Sequence, residues 1–88
     1  MLAIQLTENN LEKIIRIMRR YDVFVGIAVD GRTFIGRGVS FSAKWGDYIV
    51  EGYMRAFFAC APDEWERIKG NRNNIEKAHQ EKGIYLTK

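Results

Sequence analysis

A single cysteine, Cys60, and a single histidine, His79, in 88 residues leave no intrachain disulfide and too few soft ligands for a structural zinc site. One proline and no biased tract set the chain apart from disordered or low-complexity sequences. The longest apolar run, Ala56 to Ala61, is far shorter than the roughly 20 residues that cross a bilayer. The opening Met-Leu-Ala-Ile-Gln-Leu-Thr-Glu-Asn-Asn carries no basic leader, so the expectation is a cytoplasmic protein with no membrane partner.

Catalytic patterns are scarce too. Gly31, Gly36 and Gly38 lie within a hairpin pattern with no Gly-Lys-Ser/Thr after them, and Ser40 and Ser42 lack a Gly-x-Ser-x-Gly setting. Nucleophilic catalysis would rest entirely on His79, which falls in a polar helical segment and is expected to be solvated. Asp63, Glu64 and Glu66 fall in a first helical turn, where acids complement the helix dipole. The reading is a non-enzyme with no catalytic residue, metal site or cofactor.

What is present is a chain built to fold. Hydrophobic types make up 47% and charged types 28%, a globular balance, and the length suits one domain spanning residues 1–88. So small a domain has a thin core, which makes a homodimer a natural source of extra stability. The net charge of +3 is unevenly placed: residues 1–44 carry seven basic and four acidic side chains, residues 45–88 seven of each.

Leu11, Ile14, Ile15, Met18 and Tyr21 recur at helical spacing opposite Lys13, Arg16 and Arg20, predicting a helix over about Glu8 to Arg20 capped by Thr7 or Asn9. Val23, Val25, Ile27 and Val29 alternate as a strand does. Asp30-Gly31 then supplies a turn, and Arg32 to Ser42 returns antiparallel. A two-residue loop would put Phe34, Gly36 and Gly38 on the valine face. A three-residue loop, the preferred register, puts Ile35, Val39 and Phe41 there.

Residues 47–60 fit either period. Strand is preferred because Gly52 and the Tyr, Ile, Val and Phe content suit it, and because an isolated hairpin needs a third strand. Pro62 opens a helix anchored by Trp65 and Ile68. Gly70 to Asn74 interrupts it, and a second helical piece with Ile75 and Ala78 ends at Gly83. The predicted fold is α+β, an antiparallel three-stranded sheet with helices in the order α-β-β-β-α, with room for a short final strand over Ile84 to Leu86.

Two resemblances arise in the hairpin. Asp30-Gly31-Arg32-Thr33-Phe34-Ile35-Gly36 resembles the first motif of Sm-like RNA-binding barrels, but the Asp and Asn of that family's pattern are missing from Ser42 to Asp47. Gly36-Arg37-Gly38-Val39-Ser40 resembles part of double-stranded-RNA-binding domains, which continue with a lysine pair where this chain has Phe41 and Ser42. No residue role is carried over from either.

The functional expectation is a non-catalytic binding module with nucleic acid, RNA or DNA, as first partner class. Arg16, Arg19, Arg20, Arg32 and Arg37 would contact phosphates. Phe24, Phe34, Tyr53, Arg55 and Trp65 would stack bases or form an interface. The alternative is a small protein-binding regulator or inhibitor of the mobile-element or phage type, since Tyr, Trp, Phe and Arg are enriched at interface centres.

Overall fold

The computed structural model describes residues 3–21, 24–28, 31–36, 39–52 and 56–82, with side chains described for 3–21, 41–52 and 56–82. Among the described residues nine elements follow one another: β1 (Ala3–Gln5), α1 (Leu11–Arg20), β2 (Phe24–Ala28), β3 (Gly31–Gly36), β4 (Val39–Ala43), β5 (Tyr48–Glu51), β6 (Phe57–Cys60), α2 (Pro62–Ile68) and α3 (Arg72–Glu81). They form two antiparallel three-stranded sheets, β1-β5-β6 and β2-β3-β4. The fold is α+β, as the sequence predicts. Its strands are more finely divided: Arg32 to Ser42 and residues 47–60 each yield two strands, and a strand precedes α1. The segment Ile84 to Leu86 lies outside the described residues.

The sheet β1-β5-β6 is the middle layer, and its pleat sorts the core in two. Opposed residues share a face, so Ala3, Val50 and Phe58 fall on one side with Tyr48 and Cys60, while Ile4, Ile49, Ala59 and Phe57 fall on the other. The first side packs against Ile68, Ile75 and Ala78 of the two C-terminal helices. The second packs against Leu6, Ile14 and Met18, with Ala43 of β4 in the same cluster. Ile14, Leu6, Val50 and Ile75 are all completely buried.

Helix α1 begins at Leu11 rather than Glu8 because Thr7 is engaged in a turn. The Asn10 amide donates to the Thr7 carbonyl at 3.1 Å and to its hydroxyl at 3.2 Å, and the Asn10 side chain donates to the Gln5 carbonyl at 3.0 Å. Helix α2 starts on Pro62 with Asp63 and Glu64 in its first turn. Gly70 separates it from α3 at φ 84°, a left-handed conformation that glycine adopts without a Cβ clash. The Asn71 side chain caps α3 by accepting the Asn74 amide at 3.2 Å.

Arg72 fastens α3 to the end of β5. Its guanidinium donates to the Glu51 carbonyl at 3.1 Å and the Gly52 carbonyl at 2.7 Å, while its Nε meets Glu76 at 3.2 Å. At the other end of α3, Lys82 pairs with Glu64 of α2 at 2.9 Å.

The register of β2 with β3 corrects the three-residue-loop expectation. Ala28 pairs with Gly31 and Val25 with Phe34, so only two residues separate the strands. The segment after Gly36 reverses again, pairing Gly36 with Val39, Phe34 with Phe41 and Arg32 with Ala43. Across such a reversal Phe41 comes into line with Phe34 and Val25 rather than with Ile35, and Ala43 lies in the core with Phe41 packed against it.

Candidate nucleic-acid interface

Helix α1 turns Ile14 and Met18 inward and leaves Glu12, Lys13, Arg16, Arg19 and Arg20 exposed. At 100° per residue these five occupy one continuous arc, in which four of the five side chains are cationic. None of the four cations has a carboxylate partner among the described residues. The C-terminal helices differ: Arg67 pairs with Asp63 at 3.7 Å, Lys69 with Glu66 at 2.7 Å, Arg72 with Glu76 at 3.2 Å and Lys82 with Glu64 at 2.9 Å. Lys44 and Lys77 also lack an ion pair, but the largest group of such cations among the described residues stands on α1, with its basic last turn at the helix's negative end.

The remaining residues singled out from sequence are dispersed. Arg32 stands in β3 across from Ile27 and from buried Ala43. Phe24 pairs with Ile35 and Phe34 with Val25, so the two phenylalanines are neither partners nor at equivalent positions of the β2-β3 ladder. Arg37, Tyr53 and Arg55 lie outside the described residues. Trp65 is partly buried, packed against the Val50 and Phe58 cluster and stacked on Tyr48 with centroids 5.5 Å apart and rings 24° from parallel.

Two aromatic residues take the exposed places instead: Tyr21, 42% exposed, and Trp45, 51% exposed. Tyr21 is the C-cap of α1 and meets Phe57 edge to face, centroids 5.0 Å apart at 86°. Trp45 sits in the turn from Lys44 to Asp47. That turn closes with the Asp47 amide donating to the Lys44 carbonyl at 3.0 Å, and Gly46 at φ 94° fits its third position. The Asp47 carboxylate accepts the Lys44 amide at 2.9 Å. The Gly46 amide donates to the Leu6 carbonyl at 2.8 Å, and Gln5 donates to the Gly46 carbonyl at 3.1 Å. These bonds tie the turn to the residues leading into α1. The legible signal was a tryptophan directly before a turn glycine.

The single cysteine and the single histidine, Cys60 and His79, are both buried. Burial, and then the Glu64 carboxylate, push the Cys60 thiol up to about 11, so it is protonated and inert at neutral pH. His79 is 3% exposed, which overturns the expectation of a solvated ring. Its place follows from spacing: Ile75, Ala78 and His79 form one i, i+3, i+4 stripe, and the imidazole stacks on Phe58 at 4.7 Å and 15°. No three His, Cys, Asp or Glu side chains among the described residues are grouped to hold a metal ion. No helix among them is long and apolar enough to cross a membrane.

Burial, and then the Arg72 cation, hold the His79 pKa below its ordinary 6.5. In the unfolded chain the ring protonates first, so folded stability is intact above about pH 6.5 and falls as the pH drops through 6.5 towards the lower folded value. The urea midpoint should therefore be lower at about pH 5 than at about pH 7.5, and His79→Phe should remove most of that difference. A wild-type midpoint flat across this range would contradict a neutral buried imidazole.

Comparison with family models, with curated proteins and with solved structures found no match.

Proposed function

We propose that this protein is a non-catalytic module that binds nucleic acid through the exposed face of α1, with Lys13, Arg16, Arg19 and Arg20 contacting phosphates. The observation that carries this reading is the contrast in pairing. Arg67 of α2, Arg72 of α3 and the flanking Lys69 and Lys82 take up neighbouring carboxylates and Lys77 has no such pair, whereas the four cations of α1 stand together with only Glu12 among them. Ten residues of helix extend about 15 Å, enough for several consecutive phosphates on one strand. Arg32 and Arg37, expected from the charge pattern to contact phosphates, are further candidates to be tested by substitution.

Phosphate contact has a salt signature. Four neutralised phosphates give a slope of log K against log salt of about −3 to −4. Fluorescence anisotropy with a labelled oligonucleotide between about 50 and 200 mM salt should record it. The triple variant Arg16→Gln, Arg19→Gln, Arg20→Gln should weaken binding strongly and reduce the slope to about −1. Absence of binding to RNA and DNA at low salt, or an affinity indifferent to salt, would remove this reading.

One observation favours a second reading, a protein-binding regulator or inhibitor of the mobile-element or phage type, alone or as a homodimer. Trp45 is half-exposed on a turn fixed by backbone bonds, and tryptophans so placed are frequent interface anchors. Trp45→Ala would then abolish capture of a protein partner while the arginine variants left it intact.

A further inference from the structure

The cations of α1 are neighbours of one another on the helix surface: Lys13 and Arg16, and Arg16 and Arg19, at i, i+3, and Arg16 and Arg20 at i, i+4. Like charges at these spacings repel and weaken a helix. In the C-terminal half the same spacings join opposite charges instead, Asp63 with Arg67, Glu66 with Lys69 and Arg72 with Glu76. A dense polyanion laid on α1 relieves the repulsion. The face that would meet it offers charge and no ring, since α1 contains no aromatic residue and Tyr21, at its C-cap, lies about 140° round the helix from Arg16 and packs on Phe57.

The cations also differ in direction. At about 100° per residue, Arg16 is at the centre of the face, Lys13 and Arg20 lie about 60° and 40° to one side of it, and Arg19 lies about 60° to the other. The two flanks are therefore about 10 Å apart across the helix surface. The length of α1 suits consecutive phosphates of one strand, and its width reaches a second row, which a duplex has and a single strand has not. A DNA duplex also carries one charge per about 1.7 Å of axis, where either of its strands has one per about 3.4 Å. With no stacking to be gained on this face, counterion release decides, and it is greater on the duplex, about 0.9 ions per phosphate contact against about 0.7 on a single strand.

Resting on the reading of α1 as a phosphate-contacting surface, we infer that its partner is a nucleic-acid duplex, held by the backbones of both strands and without regard to base sequence. Lys13 and Arg20 contact one row of phosphates, Arg19 contacts the other, and Arg16 stands between them.

The experiment is anisotropy titration of the full chain with a labelled mixed-sequence DNA oligonucleotide, alone and annealed to its complement, and with a second duplex of unrelated sequence. At about 100 mM salt, wild type should bind the first duplex at least about tenfold more tightly than its single strand, with slopes of log K against log salt of about −4 and −3. The two duplexes should agree within about threefold. Arg19→Gln, which empties one flank, should lose about five- to tenfold on the duplex and at most about twofold on the single strand. Arg19→Lys, which keeps the charge, should bind the duplex like wild type. A single strand bound as tightly as its duplex, a preference of more than about tenfold between the duplexes, or an Arg19→Gln loss equal on both probes overturns this inference. If that occurs while the triple arginine variant still loses binding, the α1 reading stands alone. If neither probe binds at low salt, both fall.

Discussion

Alanine at position 52 should destabilise the protein by about 2–3 kcal/mol, a large effect for one added methyl group. A Cβ at Gly52 would run into the imidazole of His79, Nδ1 foremost, and stand 3.0 Å from Cδ1 of Phe58. Both rings are at most 3% exposed and stacked on each other, and α3 is held over Gly52 by the Arg72 bonds, so neither ring has an easy direction in which to yield. In a chain of 88 residues that loss corresponds to a fall in melting temperature of about 10–20 °C. The cause can be isolated by a double-mutant cycle with His79→Ala, because removing the ring makes room for the methyl group. The double variant should be more stable than the sum of the two single losses implies. A Gly52→Ala protein that melts within a degree or two of wild type would mean that α3 does not sit so close.

The second large effect concerns the two sides of the middle sheet. Ile14→Ala on α1 and Ile75→Ala on α3 each empty a fully buried site and should each cost about 2–5 kcal/mol by urea denaturation. The two residues belong to different clusters, one on each side of β1-β5-β6, and share no neighbour in them. Their losses should therefore add within about 0.5 kcal/mol. At about 0.05–0.15 kcal/mol per residue the whole fold is stable by only about 4–13 kcal/mol, so the double variant should be largely or wholly unfolded without denaturant. Strong positive coupling would indicate one continuous core instead of two.

The sequence made the helices readable because their signals are local. The apolar stripe of α1, the proline and acids that open α2, and the glycine and asparagine that separate α2 from α3 each act within a few residues. The alternation around Val25 and Ile27 was equally plain. Parity across the second reversal was not, since it depends on where a long β-branched segment turns back, and Arg32 to Ser42 has no stronger turn signal than Gly36-Arg37-Gly38. The register of Phe24 and Phe34 is set separately, by the two residues between Ala28 and Gly31, which pair Phe34 with Val25 instead of offsetting it by one.

The basic helix was legible as a charge pattern, although only the fold shows that no described carboxylate pairs with it. His79 was misread because polar flanking residues outweighed its i+4 relation to Ile75. Tyr21 and Trp45 were overlooked for opposite reasons. Tyr21 continues an apolar stripe just as the helix ends, and Trp45 belongs to a turn whose exposure depends on what packs beneath it.

The pairing of β1 with β5 bears on how the molecule is assembled. Ala3 lies opposite Val50, whereas the β2-β3-β4 meander joins only strands adjacent in the chain. The meander closes short loops and can form early. In the middle layer β5 and β6 can also pair locally, but adding β1 has to close a loop of about half the polypeptide, so this step should limit the folding rate. During synthesis, β1 emerges first and waits unpaired until β5 has left the ribosome.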